Sequence, residues 1–261
     1  MKIQSLLIAM FPMAAFFLIS TLGFTSPSND PCVHIYYDQT EEAQYVGGRS
    51  YAATLLHLLK DYSGYKKIVS SIESYKTGDL NKCFANFYIG SYYDNKLPRA
   101  FLDDYLSTKN NVVWFGYNIW QMGQSLSDEM GLRFVRMTTL DSHIVNREKK
   151  PAYFKDILYK GRLSSKEAFH ESVRTPYEQA ELVPTDLSKF EMVAETRHSG
   201  TRELIPYIVR VKNRFYIADI PFSLKQNKVL SSVLNDVFFE VLGSAPVENN
   251  NIVFNKIHGG K

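Results

Sequence analysis

Short apolar runs, rich in β-branched and aromatic residues, recur along the first half of the chain. Runs of this composition that are bounded by turn residues are typical of β-strands. The predicted strands cover residues 32–38, 66–76, 84–91 and 110–116.

Between these runs the apolar positions follow a helical period. The first predicted helix begins after Gly47 and Gly48, and its apolar positions are Tyr51, Leu55, Leu58, Leu59 and Tyr62. A second helix is predicted to begin near Pro98, because proline suits a first helical turn. A third extends from Asn118 to Gly131, a residue typical of a helix C-terminus. This alternation predicts an α/β fold, with an open, mostly parallel sheet and helices on both faces.

The second half of the chain is less regular at first and then regular again. Residues 132–192 are polar enough to predict an irregular insertion of small strands and loops within a single α/β domain over 29–243. Three strands are predicted next, in EMVAETRH, IPYIVRVKN and RFYIADIPF, with a turn at 213–214 between the last two. An amphipathic helix at 227–243 closes the domain, and 244–261 is predicted to be a flexible tail.

The N-terminus has the pattern of a secretory signal peptide, predicted at residues 1–28. Lys2 precedes an apolar stretch at 6–24 that contains no charge, and a polar segment follows. The stretch is long for a signal peptide, so an uncleaved membrane anchor is the alternative. Pro12 disfavours the anchor because it would kink a spanning helix. We therefore expect a protein that is exported to the periplasm or beyond, and that contacts a membrane only through this segment.

The two cysteines each directly precede a predicted strand or lie at its start. If the strands that follow Cys32 and Cys83 are parallel neighbours, the two sulfur atoms lie at the same end of the sheet. Neighbouring strands are about 4.8 Å apart, which is within the range that a disulfide accepts. In an oxidising compartment this geometry predicts a Cys32–Cys83 disulfide, and two buried free thiols are the alternative.

Composition narrows the choice of partners. The chain has 261 residues, of which 45% are hydrophobic, and a formal net charge of only +3. This charge is too near zero to indicate a nucleic-acid partner. The 17 tyrosines suit a surface that contacts sugars or peptides, since the ring packs while the hydroxyl stays hydrated, although tyrosine also simply fills strands.

Polar and aromatic residues follow three of the predicted strands. In an open parallel sheet, ligands bind at the carboxyl ends of the strands, which predicts a ligand-binding rim there. The rim residues are Asp38, Gln39 and Thr40 after the first strand, Gly90, Ser91, Tyr92, Tyr93, Asp94 and Asn95 after the third, and Gly116, Tyr117, Asn118, Trp120 and Gln121 after the fourth. The alternative for each residue alone is ordinary turn chemistry.

Reactive groups are missing from this pattern. The turn at Gly116, Tyr117 and Asn118 resembles the nucleophile elbow of the class I glutamine amidotransferase-like fold, but Asn118 stands at the cysteine position and Trp120 at the last glycine. No histidine is followed two positions later by glutamate, so nothing is predicted to activate a nucleophile. We predict no catalytic residue, no metal site and no cofactor. The acidic pairs at 41–42 and 103–104 are predicted at helix starts, where they complement the helix dipole.

Three long stretches carry a family resemblance. YIGSYYDNKLPRAFLDDYL, NNVVWFGYNIWQ and IPYIVRVKNRFYIADIPFS resemble the N-terminal region of YdaL-type secreted bacterial proteins, which are related to polysaccharide deacetylases. The resemblance covers about 33–243 and implies a flavodoxin-like or amidotransferase-like domain. In that family a deacetylase barrel follows. Here the position that leads into the barrel matches NNNIVFNKIHGGK, so the barrel's metal ligands have no counterpart in this sequence.

The favoured hypothesis is an exported, non-catalytic accessory domain that binds an envelope polysaccharide or a polysaccharide-modifying enzyme at the rim. Stacking is expected from Tyr92, Tyr93 and Trp120, and hydrogen bonds from Asp38, Asp94, Asn118 and Gln121. Two alternatives stay open. One is a deacetylase-related hydrolase, either a remnant or the partner of a separate barrel, and the other is a purely structural partner whose rim is only turns.

Overall fold

The computed structural model describes residues 31–39, 47–139, 153–159, 168–173, 178–197, 203–220 and 228–243. The predicted signal peptide, the predicted tail and Thr40 lie outside these ranges. Within them the chain forms eleven strands and four α-helices. In chain order these are β1 (Cys32–Tyr37), α1 (Gly48–Leu58), β2 (Lys66–Ser71), β3 (Ala85–Gly90), α2 (Arg99–Ser107), β4 (Asn111–Gly116), α3 (Gln124–Met130), β5 (Leu132–Thr139), β6 (Tyr153–Tyr159), β7 (Ala168–Val173), β8 (Glu178–Pro184), β9 (Glu191–Arg197), β10 (Leu204–Val211), β11 (Arg214–Ile217) and α4 (Lys228–Leu242).

The strands form one large sheet and one small one. The large sheet has nine strands in the order β2-β1-β3-β4-β11-β10-β9-β6-β7. The first five are mutually parallel, and the remaining four extend the sheet by antiparallel pairing. The small sheet pairs β5 with β8. The predicted α/β fold with a parallel sheet is confirmed, and the region 132–192 contributes strands to both sheets.

Helices cover both faces of the parallel half. Side chains alternate between faces along a strand, so Tyr36, Tyr88 and Trp114, which are partners in register, share one face. Phe101 of α2 packs against all three rings. On the opposite face Phe87 packs edge-on against Phe238 of α4. The sheet centre is therefore buried on both sides, which explains why every residue of β3 is buried.

The predicted disulfide is confirmed. Cys32 and Cys83 are bonded, with their Cα atoms 4.7 Å apart. Cys32 begins β1, and Phe84, directly before β3, donates its backbone N–H to the Cys32 carbonyl. The bond therefore joins the amino ends of two neighbouring parallel strands.

Several predicted boundaries were wrong. β2 ends at Ser71 because residues 72–74 form a 3₁₀ turn, in which the Ser71 hydroxyl accepts from the Glu73 N–H. The helix predicted from Asn118 is a 3₁₀ turn at 119–122, and α3 begins only after Gly123, whose φ of 54° interrupts the helical path. The turn between β10 and β11 is at 212–213, one residue earlier than predicted.

The second acidic pair is also placed differently from the prediction. Asp103 and Asp104 lie in the middle of α2, whose first turn holds no acidic residue. Asp103 forms an exposed ion pair with Arg99. Asp104 is buried and accepts hydrogen bonds from the Tyr75 hydroxyl at 2.6 Å and the Gly78 N–H at 2.5 Å. The first pair, at 41–42, lies outside the described residues.

Among the described residues, none of the helices has the length and apolar character needed to cross a bilayer.

Candidate functional site at the carboxyl ends of the parallel strands

The strand order reverses between β1 and β3. From β1 the chain moves outward to β2, and it then crosses back to place β3 on the other side of β1. Crevices that bind ligands form at such reversals, outside the carboxyl ends of the strands. Asp38 directly follows β1 and Ser91 directly follows β3, so the reversal brings these two predicted site residues together.

The Asp38 carboxylate lies at this reversal point and accepts hydrogen bonds from the loop after β3. The side chain is fully buried. Its Oδ1 accepts from the Tyr88 hydroxyl at 2.7 Å and from Asn95 Nδ2 at 2.9 Å. Its Oδ2 accepts from the backbone N–H groups of Ser91 at 2.8 Å and Tyr92 at 3.1 Å. Asp38 therefore ties the end of β1 to the loop after β3.

Asn118 links the same loop to β4. It is fully buried and has a left-handed backbone with φ 74°, the shape expected of an elbow. Its Nδ2 lies 3.0 Å from the Tyr88 hydroxyl and 3.1 Å from the Tyr92 carbonyl oxygen, and it lies 3.4 Å from Asp38 Oδ2. At the position where the elbow would carry a nucleophile, this chain has a buried amide that joins two loops.

Burial shifts the acid–base behaviour of this network. It raises the pKa of Asp38 to about 6, and the hydrogen bonds from Tyr88, Tyr92, Asn95 and Ser91 offset part of that increase because they favour the charged form. Burial, with the nearby Asp38 charge, raises the pKa of Tyr88 well above its ordinary value. Tyr88 thus stays protonated as a donor, while Asp38 changes charge near pH 6.

The backbones of β3 and β4 approach closely at their ends. A Cβ atom on Gly90 would lie 2.4 Å from the Tyr117 carbonyl oxygen, and one on Gly116 would lie 2.5 Å from the Gly90 carbonyl oxygen. Tyr117 donates its backbone N–H to that same Gly90 oxygen at 2.9 Å. Glycine is required at both positions by this approach, and Gly116 also has φ 72°.

Aromatic rings lie beside this network. Tyr93 is 45% exposed, and its ring centroid is 5.0 Å from that of Trp120 and 6.5 Å from that of Tyr117. Trp120 in turn lies 5.2 Å from Phe134 of β5. We call Tyr93, Tyr117, Trp120 and Phe134 the aromatic platform. Tyr93 is its most exposed member, and the other three are partly buried.

The remaining predicted site residues are distributed around the platform. Gln121 donates from Nε2 to the Asn95 carbonyl oxygen at 2.6 Å and accepts from the Leu97 N–H at 2.9 Å, so it supports the loop after β3. Asp94 is exposed and has a left-handed backbone with φ 61°. Whether any of these residues contacts a ligand stays a prediction.

A histidine and a serine form a hydroxyl–imidazole pair on neighbouring strands. His34 Nε2 of β1 is 3.0 Å from Ser70 Oγ of β2, and the ring stacks on Tyr36. Burial lowers the pKa of His34 to about 4 and outweighs the nearby Asp79 charge, which acts to raise it. Such an imidazole is neutral at physiological pH and is too weak a base to activate a hydroxyl efficiently.

Across the described part of the chain, no group of three or more His, Cys, Asp or Glu side chains is arranged to hold a metal ion.

Sequence reasoning missed two residues of this site, which are Tyr88 and Phe134. Tyr88 could have been predicted, because it stands two positions before Gly90 and the two positions therefore lie on the same face of β3. Asn95 was predicted as a rim residue, but its hydrogen bond to Asp38 depends on the fold of its loop. Phe134 comes from β5, in a region whose pattern indicated no contact with β4.

Comparisons with known proteins give likenesses of structure alone. No family model matches the chain, and no curated protein matches its sequence. The YdaL-type resemblance therefore stays a prediction, which neither comparison supports. A ThuA-like protein from Bacteroides uniformis is similar in structure, with a TM-score of 0.57 and 14% identity, over 86% of this chain and 97% of that protein.

Parts of larger enzymes are similar as well. A β-galactosidase from Bacillus circulans sp. alkalophilus has a TM-score of 0.52 and 11% identity over 80% of this chain. A β-galactosidase from Rahnella sp. R3 has a TM-score of 0.51 and 9% identity over the same share. The chain spans only 31% of either enzyme. These likenesses show the fold, which is the flavodoxin-like or amidotransferase-like α/β fold expected from the sequence.

Proposed function

We propose that this protein is an exported, non-catalytic domain that binds a saccharide of the cell envelope on the aromatic platform. The observation that carries the proposal is the exposed Tyr93 ring in contact with Trp120, at the carboxyl ends of a parallel sheet. Aromatic faces pack against the apolar faces of sugar rings, while nearby polar groups bind the hydroxyls. The occurrence of this fold within β-galactosidases is consistent with such a ligand.

The disulfide supports the exported location. Structural disulfides persist in oxidising compartments and are rare in the cytosol of most organisms. Both cysteines of the chain are used in the Cys32–Cys83 bond. This agrees with the signal-peptide pattern at the N-terminus.

A hydrolytic role has less support than a binding role. The raised pKa of Asp38 would suit a general acid. However, the carboxyl group is fully buried, and each of its oxygens already accepts from protein donors. A substrate could reach Asp38 only after the loop that follows β3 had moved away.

The binding proposal is tested by calorimetric titration with oligosaccharides prepared from envelope polysaccharides. Tyr93→Ala is expected to weaken binding about 3- to 10-fold, the range given by the worth of an aromatic contact. Leu187→Ala is the control, because Leu187 is 71% exposed and is not part of the platform. If no envelope saccharide binds the unaltered protein, the proposal is wrong.

A further inference from the structure

Tyr93 is held between two residues that are bonded to the same carboxylate. Tyr92 donates its N–H to Asp38 Oδ2, and Asn95 donates its side-chain amide to Asp38 Oδ1. Asp94, between Tyr93 and Asn95, has a left-handed backbone that costs a non-glycine residue on the order of 1 kcal/mol. Such a conformation persists only where its surroundings enforce it. The bonds to Asp38 supply that enforcement on both sides of Tyr93.

Trp120 is held in the same way by the same network. It lies two positions after Asn118, whose amide donates to the Tyr92 carbonyl oxygen. It directly precedes Gln121, whose amide donates to the Asn95 carbonyl oxygen. Both neighbours of Trp120 in the network therefore reach across to the loop that carries Tyr93. The residues that flank the two rings are therefore hydrogen-bonded to one another and, through Tyr92, Asn95 and Asn118, to the Asp38 carboxylate.

We propose that Asp38 is the positioning residue of the aromatic platform: its carboxylate holds the loop after β3 and the turn after β4 in the arrangement that sets Tyr93 against Trp120. This inference rests on the proposed function only where it concerns ligand affinity. Asp38 does not itself touch a ligand, since it is fully buried and acts through Tyr92, Asn95 and Asn118.

The hydrogen bonds that Asp38 accepts favour its charged form. A protonated oxygen donates, so at least one of its donors loses an acceptor when the carboxyl group becomes neutral. Burial raises the pKa of Asp38 to about 6, so quenching is measured at about pH 8, where the carboxylate is charged. The other charged or titratable groups nearby are Tyr88, which stays protonated, and Glu73, whose Oε1 accepts from the Gln39 N–H and from Asn95 Nδ2, each at 3.3 Å.

The fluorescence of Trp120 reports on the platform without any ligand. The chain has two tryptophans, and Trp114 is fully buried, so acrylamide quenches mainly the partly exposed Trp120. Asp38→Asn is expected to raise the quenching constant roughly two-fold by loosening both loops. The matched control is Asp104→Asn, which changes a second buried carboxylate that also accepts from a tyrosine hydroxyl and a backbone N–H, away from the platform.

Unchanged quenching in Asp38→Asn, or an equal rise in Asp104→Asn, would overturn the inference. A titration with an N-acetylglucosamine oligomer tests the proposed function separately, because quenching reports on the platform whether or not a saccharide binds.

Discussion

At the scale of single residues, β1 and the residue after it carry two titratable groups whose pKa values are displaced in opposite directions. Burial lowers the pKa of His34 to about 4 and raises that of Asp38 to about 6. The cause is the same for both, since burial disfavours whichever form is charged. Their effects on stability therefore oppose each other across mildly acidic pH.

Single substitutions should separate the two effects. The folded state holds the Asp38 proton more tightly than the unfolded state, so the free energy of unfolding falls by about 3 kcal/mol as pH rises from about 4 to 6. The folded state binds the His34 proton less tightly, so stability rises over about the same range. We predict that stability increases with pH in Asp38→Asn and decreases with pH in His34→Gln. The stability of the unaltered protein should change less with pH than that of either variant. Urea unfolding at several pH values measures this, and parallel curves for all three proteins would contradict it.

The position of Asp38 could be predicted from the sequence, but its burial could not. Its position after a strand was predictable from the end of an apolar run. Its complete burial was not, because the five residues that donate to its carboxylate belong to or follow β3 and β4, at least 50 positions away in the chain. The sequence indicated a rim residue, and the fold turned that residue inward.

At the scale of elements, α4 is attached to the sheet through its side chains and its last carbonyl groups. Phe238 packs edge-on against Phe87. The carbonyl oxygens of Val241 and Leu242 accept from the Asn111 side chain at 2.8 Å and the Tyr65 hydroxyl at 2.6 Å. These contacts satisfy groups that a helix leaves unpaired at its C-terminus.

Two adjacent phenylalanines of α4 provide a matched comparison. Phe238 is fully buried, whereas Phe239 is 38% exposed. Phe238→Ala is expected to lower the free energy of unfolding by about 3 to 5 kcal/mol, because it leaves a cavity under the sheet. Phe239→Ala should cost about 1 kcal/mol or less. Chemical denaturation of the two variants checks the difference, and equal losses would show that α4 does not pack as described.

The existence of the elements in the first half of the chain was easier to predict than their ends. Periodicity identified α1, α2 and β1 to β4, because burial on a sheet imposes a repeating pattern. The break at Gly123 left no periodic signal, since apolar residues continue through both the 3₁₀ turn and α3. The shift of the β10–β11 turn to 212–213 places Lys212 at φ 56°, a conformation that is unusual for lysine.

At the scale of the whole molecule, the disulfide closes a loop of 51 residues. In the chain-entropy description, a crosslink of this span stabilises a protein by about 4 kcal/mol by restricting the unfolded chain. The double variant Cys32→Ser, Cys83→Ser should lose about that much and show a steeper denaturant dependence, because its unfolded state is less compact. The unaltered protein in reductant should show the same loss of stability and the same steeper denaturant dependence. Full stability in both cases would mean that the bond contributes nothing to the fold.

The sequence by itself determined the α/β class, the cysteine pair, the closing helix and the three strand ends where the candidate site lies. These features follow from local periodicity, from residue composition at turns, and from the rule that parallel strands align their ends. Only the tertiary structure decided the antiparallel extension of the sheet, the face that each helix covers, the inward turn of Asp38 and Asn118, and the contact of Tyr93 with Trp120. Each of these depends on which distant segments become neighbours, and that choice is made by packing of the whole chain rather than by any local pattern.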